Sequence, residues 1–338
     1  MPHCKPALLG SLALSLALAL SACGSSSASN GITVYSGQHE QTTALLVAAF
    51  ERQSGIKVSL RSGDEAALGN QVIQEGASSP ADVFYSANSP VLESLREHGL
   101  LTTVAPGTMP AIPARYSSPI GAWVGISARV SALGYDATKL SASALPSSIL
   151  ELAQPRWQGM LGFAPSETDF QPLVAAILKR DGAGAAEAWL KGLQRNGHEY
   201  SNNETVLIQI NDGQIAIGPI EHYYWYRLRA ELGAGAMHAA LHYFAPGDVG
   251  ELLVVSGAAV LRSSAHKAAA QRFLAFLTSA AAQRVIATSH SYEYPLRPGV
   301  SAGAGLVPLS RLRPASLTPA DLGDGRAALE LEQKLGLL

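Results

Sequence analysis

The sequence predicts an α/β fold of two doubly wound lobes joined by crossing strands. Strand-like and helix-like periods alternate with short links from Ile32 to His98, and again from Met160 to Leu232. Two apolar runs, Ala122–Tyr135 and Leu252–Leu261, read as strands passing between lobes, the first being too long for one sheet edge. A chain of 338 residues with 47% apolar content has room for about two cores without disulfide or metal staples.

In chain order, Ile32–Tyr35 is a strand, and Gln41–Arg52 carries Leu45, Leu46, Ala49 and Phe50 at helical spacing until Gly55. Ile56–Leu60 alternates as a strand, Asp64–Glu75 is a helix, Ala81–Tyr85 a strand, and Val91–His98 a helix ended by Gly99. Pro106–Pro119 has no period. After the first crossing, Met160–Ala164 is a strand, Phe170–Lys179 and Ala185–Leu193 are helices, and Asn203–Asn211 is a short helix. Gln214–Gly218 reads as a strand and His222–Leu232 as a helix. The second crossing is followed by one long helix over Ala265–Thr288, packed through Phe273, Leu274, Phe276 and Leu277, and by a last helix, Arg326–Leu335. The expected organisation is residues 32–128 and 254–302 in lobe 1, with 129–253 and 303–338 in lobe 2. Two crossings put a hinge at the base and a cleft between the lobes, where ligands of such sheets bind.

Residues 1–22 read as a lipoprotein signal peptide. Lys5 precedes a short apolar core, Ala7–Ala22, and the string Leu20-Ser21-Ala22-Cys23 resembles a bacterial lipobox. An ordinary secretory signal with an incidental cysteine is the plainer alternative. Residues 23–31 form a Ser-rich tether. Cys4 is removed with the signal and Cys23 takes lipid, so neither disulfide, thiolate metal site nor cysteine nucleophile is expected. With no second long apolar segment, the body is expected to be soluble and to hang from the outer face of the cytoplasmic membrane.

Charged residues make up 15% of the chain and the net charge is −2, which argues against a nucleic-acid partner. No phosphate loop, zincin helix or nucleophile elbow is present. Two clusters stand out. Gly37-Gln38-His39-Glu40 follows the first strand, and Glu221-His222-Tyr223-Tyr224-Trp225-Tyr226 follows the strand near Gly218. Each lies at the carboxyl end of a strand, one per lobe, so both can face the cleft. Adjacent residues at a helix start point about 100° apart, yet both can reach an atom lying off the helix end. A phenol near pKa 10 becomes phenolate beside a trivalent ion, and phenolate is a hard ligand suited to Fe(III). The same tyrosines could instead form an aromatic wall for an organic ligand, or core, and His39 could be a hydrogen-bonded loop residue.

At these residues the chain resembles the ferric-ion-binding proteins of bacterial iron ABC importers, within the two-lobed periplasmic binding proteins of type II. The likeness runs through ITVYSGQHEQ, FERQSGIKV, SPADVFYS, NNETV, YYWYR and VSGAAVL, covering nearly the whole mature chain. It implies His39, Tyr223 and Tyr224 as ferric ligands, an ABC permease and its ATPase as partners, a monomer, and capture without turnover. Ala87 stands where the family often has a glutamate ligand. Ser166-Glu167-Thr168-Asp169 replaces a small-residue loop that holds a synergistic anion. Asn203 matches a polar contact near that loop, and Glu221 stands where asparagine is frequent. Glu167 or Asp169 could therefore replace both the missing ligand and the anion, so that no exogenous anion is required. Ser166-x-x-Asp169 also fits a helix capping box in outline. Arg129, on the first crossing, is either a cleft cation or a structural partner, and Glu221 with His222 is read as solvated or supporting the ligands. The rival functions are a binding protein for a small organic molecule or anion, and a secreted hydrolase using Glu167 and Asp169. Replacing Cys23 with Ser should move the protein from the membrane fraction to the soluble envelope fraction. A parent protein already soluble and unlipidated would overturn the anchor.

Overall fold

The first lobe opens with β1 (Gly31–Ser36), α1 (Glu40–Ser54), β2 (Lys57–Ser62), α2 (Glu65–Glu75), β3 (Val83–Ser86), α3 (Ser89–Glu97) and the short β4 (Leu101–Thr102) in a computed structural model that describes residues 31–338. The signal segment, Cys23 and the tether to Asn30 lie outside the described residues. β5 (Val124–Asp136) leads into β6 (Leu161–Phe163), α4 (Phe170–Asp181), α5 (Ala183–Asn196), β7 (Gly197–Glu199), α6 (Asn203–Asn211), β8 (Ile217–Glu221), α7 (His222–Leu232) and β9 (Ala239–His242). The chain returns through β10 (Leu253–Leu261), α8 (Lys267–Leu277), α9 (Ala280–Thr288) and β11 (Tyr294–Pro295), and ends with α10 (Pro319–Leu322) and α11 (Arg326–Lys334).

The sheet order is β2-β1-β3-β10-β5-β8-β6-β7, with β4 on β10, and β9 and β11 on β5. Within each half the pairs β1–β2, β1–β3, β6–β7 and β6–β8 are parallel, as strand–helix repetition requires. The two crossings run antiparallel to each other, because the chain leaves along β5 and comes back along β10. β5 serves both halves: Val124–Val130 pair with β10, and Ser131–Tyr135 pair with β8. One core gathers Val34, Phe50, Phe84, Trp123 and Phe273. A second gathers Leu161, Phe163, Phe170, Trp189 and Ile217, beside a smaller cluster around Val206, Leu207 and Ile210. Leu306 and Leu312 pack in the first core, while Leu322, Ala328 and Leu331 pack in the second.

Two expectations need correction. The long helix over 265–288 is two helices. The Ser279 hydroxyl caps α9 by accepting the Ala282 N–H at 3.2 Å, which halts α8 at Leu277 and lets the chain bend. The strand near Gln214–Gly218 runs instead over Ile217–Glu221. Gln214 and Ile215 still donate to the Gln209 carbonyl, so they belong to the turn leaving α6. This shift makes Glu221 the N-cap of α7 and puts Tyr223 and Tyr224 in its first turn. The short β7 and β9 carry too little period-2 apolar pattern to be seen in the sequence. Ser279→Ala should cost about 1 kcal/mol, lowering the thermal midpoint by about 2 °C, measurable by calorimetry.

Candidate metal centre

The first-lobe half of the site starts at Gly37. A Cβ there would stand 2.1 Å from Glu65 Cβ, so only glycine lets α2 approach the loop after β1. Gly37 N–H donates to the Tyr85 carbonyl at 2.9 Å. Gln38 then fixes its neighbour: its Oε1 accepts the His39 N–H at 2.8 Å, and its Nε2 donates to both Glu293 oxygens at 3.2 Å. His39 caps α1 with its backbone. Its buried Nε2 has no hydrogen-bond partner and lies 3.5 Å from Glu293 Oε1. Burial lowers its pKa below the ordinary range, against the pull of Glu293.

The second-lobe half is held by two groups at the start of α7, Glu221 and His222. Glu221 is buried, with Oε1 accepting the Ser131 hydroxyl at 2.7 Å and Oε2 without a partner. His222 is fully buried. Its Nδ1 accepts the Val130 N–H at 3.2 Å and its Nε2 donates to the Tyr292 carbonyl at 2.9 Å, so it is a neutral imidazole, pushed by burial down to about 4. Both are buried, so of the two expected alternatives the solvated one is excluded, because β8 ends inside the sheet. Tyr223 and Tyr224 follow, with rings 4.2 Å apart. Tyr223 meets His39 edge-on at 4.9 Å, which brings the two sequence clusters together.

Asp169 and Arg129 link the halves. The Tyr223 hydroxyl donates to Asp169 Oδ2 at 3.1 Å. Asp169 Oδ1 accepts from Asn88 Nδ2 at 3.2 Å and faces Arg129 Nη1 at 3.2 Å. Arg129 also donates to the Ala87 carbonyl and lies 3.8 Å from Glu293 through Nε. So where a glutamate side chain is missing, the Ala87 backbone holds a guanidinium. Asp169 stands at the N-cap of α4 but makes no capping bond, and the Ser166 hydroxyl donates to the Ser201 carbonyl instead. The capping box is not formed. Glu167 is half-buried, and its Oε2 accepts the Asn203 N–H at 3.2 Å. Burial and the Asp169 charge push it up to about 7.

The electrostatics are lopsided. Asp169, Glu293, Glu221 and Glu65 are buried around the single guanidinium of Arg129. Burial alone would raise the Glu293 carboxyl, but Arg129 and His39 hold it well below the carboxylate range. Glu221 and Glu65 are raised by burial. Burial and Asp169 push both tyrosines above the ordinary phenol range. Among the described residues no three His, Cys, Asp or Glu side chains gather as a metal cage, so a hard cation here needs the phenols. Sequence reading missed Glu293, Asn88 and Glu65, and gave Gln38 no role of its own. For Glu293 the available signal was an acid between two tyrosines, Tyr292-Glu293-Tyr294.

Two αβ halves, paired crossing strands and a polar cluster drawn from both halves define a two-lobed binding protein. Comparison with known proteins agrees. Residues 78–306 match the family of bacterial extracellular solute-binding proteins. The chain is 38% identical to the Fe(3+)-binding periplasmic protein of Serratia marcescens, over 97% of this chain and 96% of the relative. It is 37% identical to the major ferric iron-binding protein of Neisseria meningitidis serogroup A, over 90% and 93%. Iron-bound HitA from Pseudomonas aeruginosa matches with a TM-score of 0.87 at 41% identity, covering 90% of this chain and 99% of that one. The chain belongs to the bacterial extracellular solute-binding proteins, in their periplasmic ferric-ion-binding group. That group consists of transport proteins, not enzymes, and the carboxylate-pair hydrolase is set aside.

Removing Arg129 should be costly, since it leaves Asp169 and Glu293 buried without their cation. Arg129→Leu is expected to lose about 3–5 kcal/mol of stability, read as a lower urea midpoint with an unchanged slope.

Proposed function

We propose that this protein captures Fe(III) as cargo between its lobes and delivers it to an ABC permease and its ATPase, while tethered through lipidated Cys23 to the outer face of the cytoplasmic membrane. The observation that carries the reading is the convergence of His39 with the Tyr223–Tyr224 pair, beside a carboxylate already bonded to one phenol. The ligands are His39 Nε2, the two tyrosinate oxygens and Asp169. His39 Nε2 is buried 3.5 Å from Glu293 Oε1, too far for a good hydrogen bond, and burial lowers its pKa, which favours a nitrogen free to ligate. The ion supplies the positive charge that drives the phenol protons off, so binding releases protons and weakens in acid. Closure then swings residues 32–128 and 254–302 against 129–253 and 303–338, with no chemical turnover.

Asp169 also bears on the anion. The resemblance puts an exogenous anion at the 166–169 loop, and Arg129 is the buried cation that faces that loop. Its Nη1 faces Asp169, and Nε faces Glu293. A protein carboxylate thus fills the anion's place, and binding needs no added phosphate. Glu167, bonded to the Asn203 backbone, is a reserve ligand at the mouth.

Ferric titration should produce a broad visible tyrosinate band, with equal affinity whether or not phosphate is present. Tyr223→Phe with Tyr224→Phe should abolish the band while the fold survives, since Phe keeps the ring packing. Asp169→Asn should weaken ferric binding about tenfold or more and make it respond to phosphate. A band that persists in the double Phe variant would refute the ligand assignment.

A further inference from the structure

One carboxylate in the chamber faces a ligand atom without being bonded to it. Glu293 lies between α9 and β11, so it reaches the site from the returning chain. It is buried, and its two oxygens are unequally engaged. Oε2 accepts the Ser127 hydroxyl at 2.5 Å and Gln38 Nε2 at 3.2 Å. Oε1 accepts only the other branch of that shared Gln38 bond, also at 3.2 Å. Arg129 Nε, at 3.8 Å, is beyond hydrogen-bond range. Opposite Oε1 stands His39 Nε2, buried, without a hydrogen-bond partner, 3.5 Å away.

That spacing suits two ligands of one ion better than it suits a hydrogen bond. A small hard ion holds nitrogen and oxygen donors at about 2.1 Å. Two such bonds whose ends lie 3.5 Å apart meet at about 110°, within reach of an octahedral angle after a shift of about half an ångström. On the other side of the chamber, the Tyr223 hydroxyl and Asp169 Oδ2 are 3.1 Å apart, a spacing of the same kind. The remaining buried acids are placed differently. Glu65 gives both oxygens to Ser86 and Asn88. Glu221 keeps Oε2 free, but among the described residues its side chain bonds only to Ser131.

We propose that Glu293 Oε1 is a further ferric ligand, sharing the ion with His39 Nε2 on the first-lobe side while Asp169 and the two phenol oxygens hold it from the second. The inference rests on the ferric reading above and deepens it by adding a second carboxylate to the ligand set. The charges agree with it. Two phenolates, Asp169 and Glu293 are balanced by one trivalent ion and the Arg129 guanidinium, whereas a divalent ion would leave a negative charge buried and uncompensated. Gln38 and Ser127 fix the carboxylate's direction before the ion arrives. On binding, the ion sheds its previous ligands, bonds form from iron to Oε1 and Nε2, the phenol protons pass to water, and the metal remains Fe(III).

Titration of the full chain and of Glu293→Gln with ferric nitrilotriacetate, followed at the tyrosinate band, tests the assignment. Gln keeps the size and one oxygen acceptor but carries no charge. Ferric affinity should fall about tenfold or more, and the band should move to longer wavelength. Losing an anionic donor makes the ion more electron-poor, which lowers the energy of the phenolate-to-iron transition. A residue that only orients His39 would alter affinity and leave the band in place; that outcome, or parent affinity in the variant, would overturn the proposal. A band shift in Glu221→Gln with none in Glu293→Gln would give the position to Glu221 and overturn it too. If removing the charge beside Arg129 unfolds the variant, a crystal structure of the iron-loaded parent decides. Glu293 Oε1 should then lie about 2.1 Å from the iron, and a separation beyond about 3 Å would rule it out as a ligand. Failure of the ferric reading itself would look different: the parent would show no tyrosinate band at all.

Discussion

The buried guanidinium of Arg129 organises the molecule's centre. It sits on the strand that serves both halves of the sheet, and it faces Asp169 from the second half and Glu293 from the returning chain. Burying one cation costs several kcal/mol unless hydrogen bonds and opposite charges offset it. Here the offset comes from two carboxylates and the Ala87 carbonyl, each delivered by a different segment. Arg129 thereby ties together segments that are far apart in the chain.

The same arrangement leaves the chamber short of positive charge. Asp169 and Glu293 face Arg129, burial raises the pKa values of Glu221 and Glu65, Arg227 covers the Tyr223 ring from outside, and the nearby histidines are both pushed towards the neutral form by burial. Two phenols stand beside them with pKa values raised by burial and by Asp169. A weakly charged ion could not repay the loss of those phenol protons. A small trivalent ion can, because its field lowers the pKa of whatever oxygen it touches. On the proposed ferric reading, selectivity for a hard, highly charged ion would come from the chamber's low dielectric as much as from its donors.

Position matters as much as charge. Gly37 lets α2 press against the loop before His39, and Gln38 joins that loop to Glu293. His222 clamps the start of α7 between β5 and the loop at 292. Glu221 bonds to Ser131, just past the point where β5 changes partners. The donor groups therefore ride on strand ends and helix starts rather than on free loops, and each has a bonded neighbour that restricts its direction.

Much of this was legible locally. Alternating apolar periods disclosed the αβ repeats and the two crossings, and His39 and the Tyr223–Tyr224 pair were visible as polar clusters after strands. Short-range pattern suffices there, because backbone propensity and burial periodicity act within one element. The break at Ser279 was local too, but its cap signal was overridden by a continuous apolar period. Glu293 was beyond such reading: it meets Gln38 across 255 residues, and no spacing rule connects them. The choice between Glu167 and Asp169 was likewise undecided in the sequence. In the fold Asp169 faces Arg129 and Tyr223, whereas Glu167 accepts from the Asn203 backbone, a difference in contacts that no local spacing encodes. Which charges are buried together, and so which protons a bound ion must displace, depends on contacts between distant segments that only the folded chain brings together.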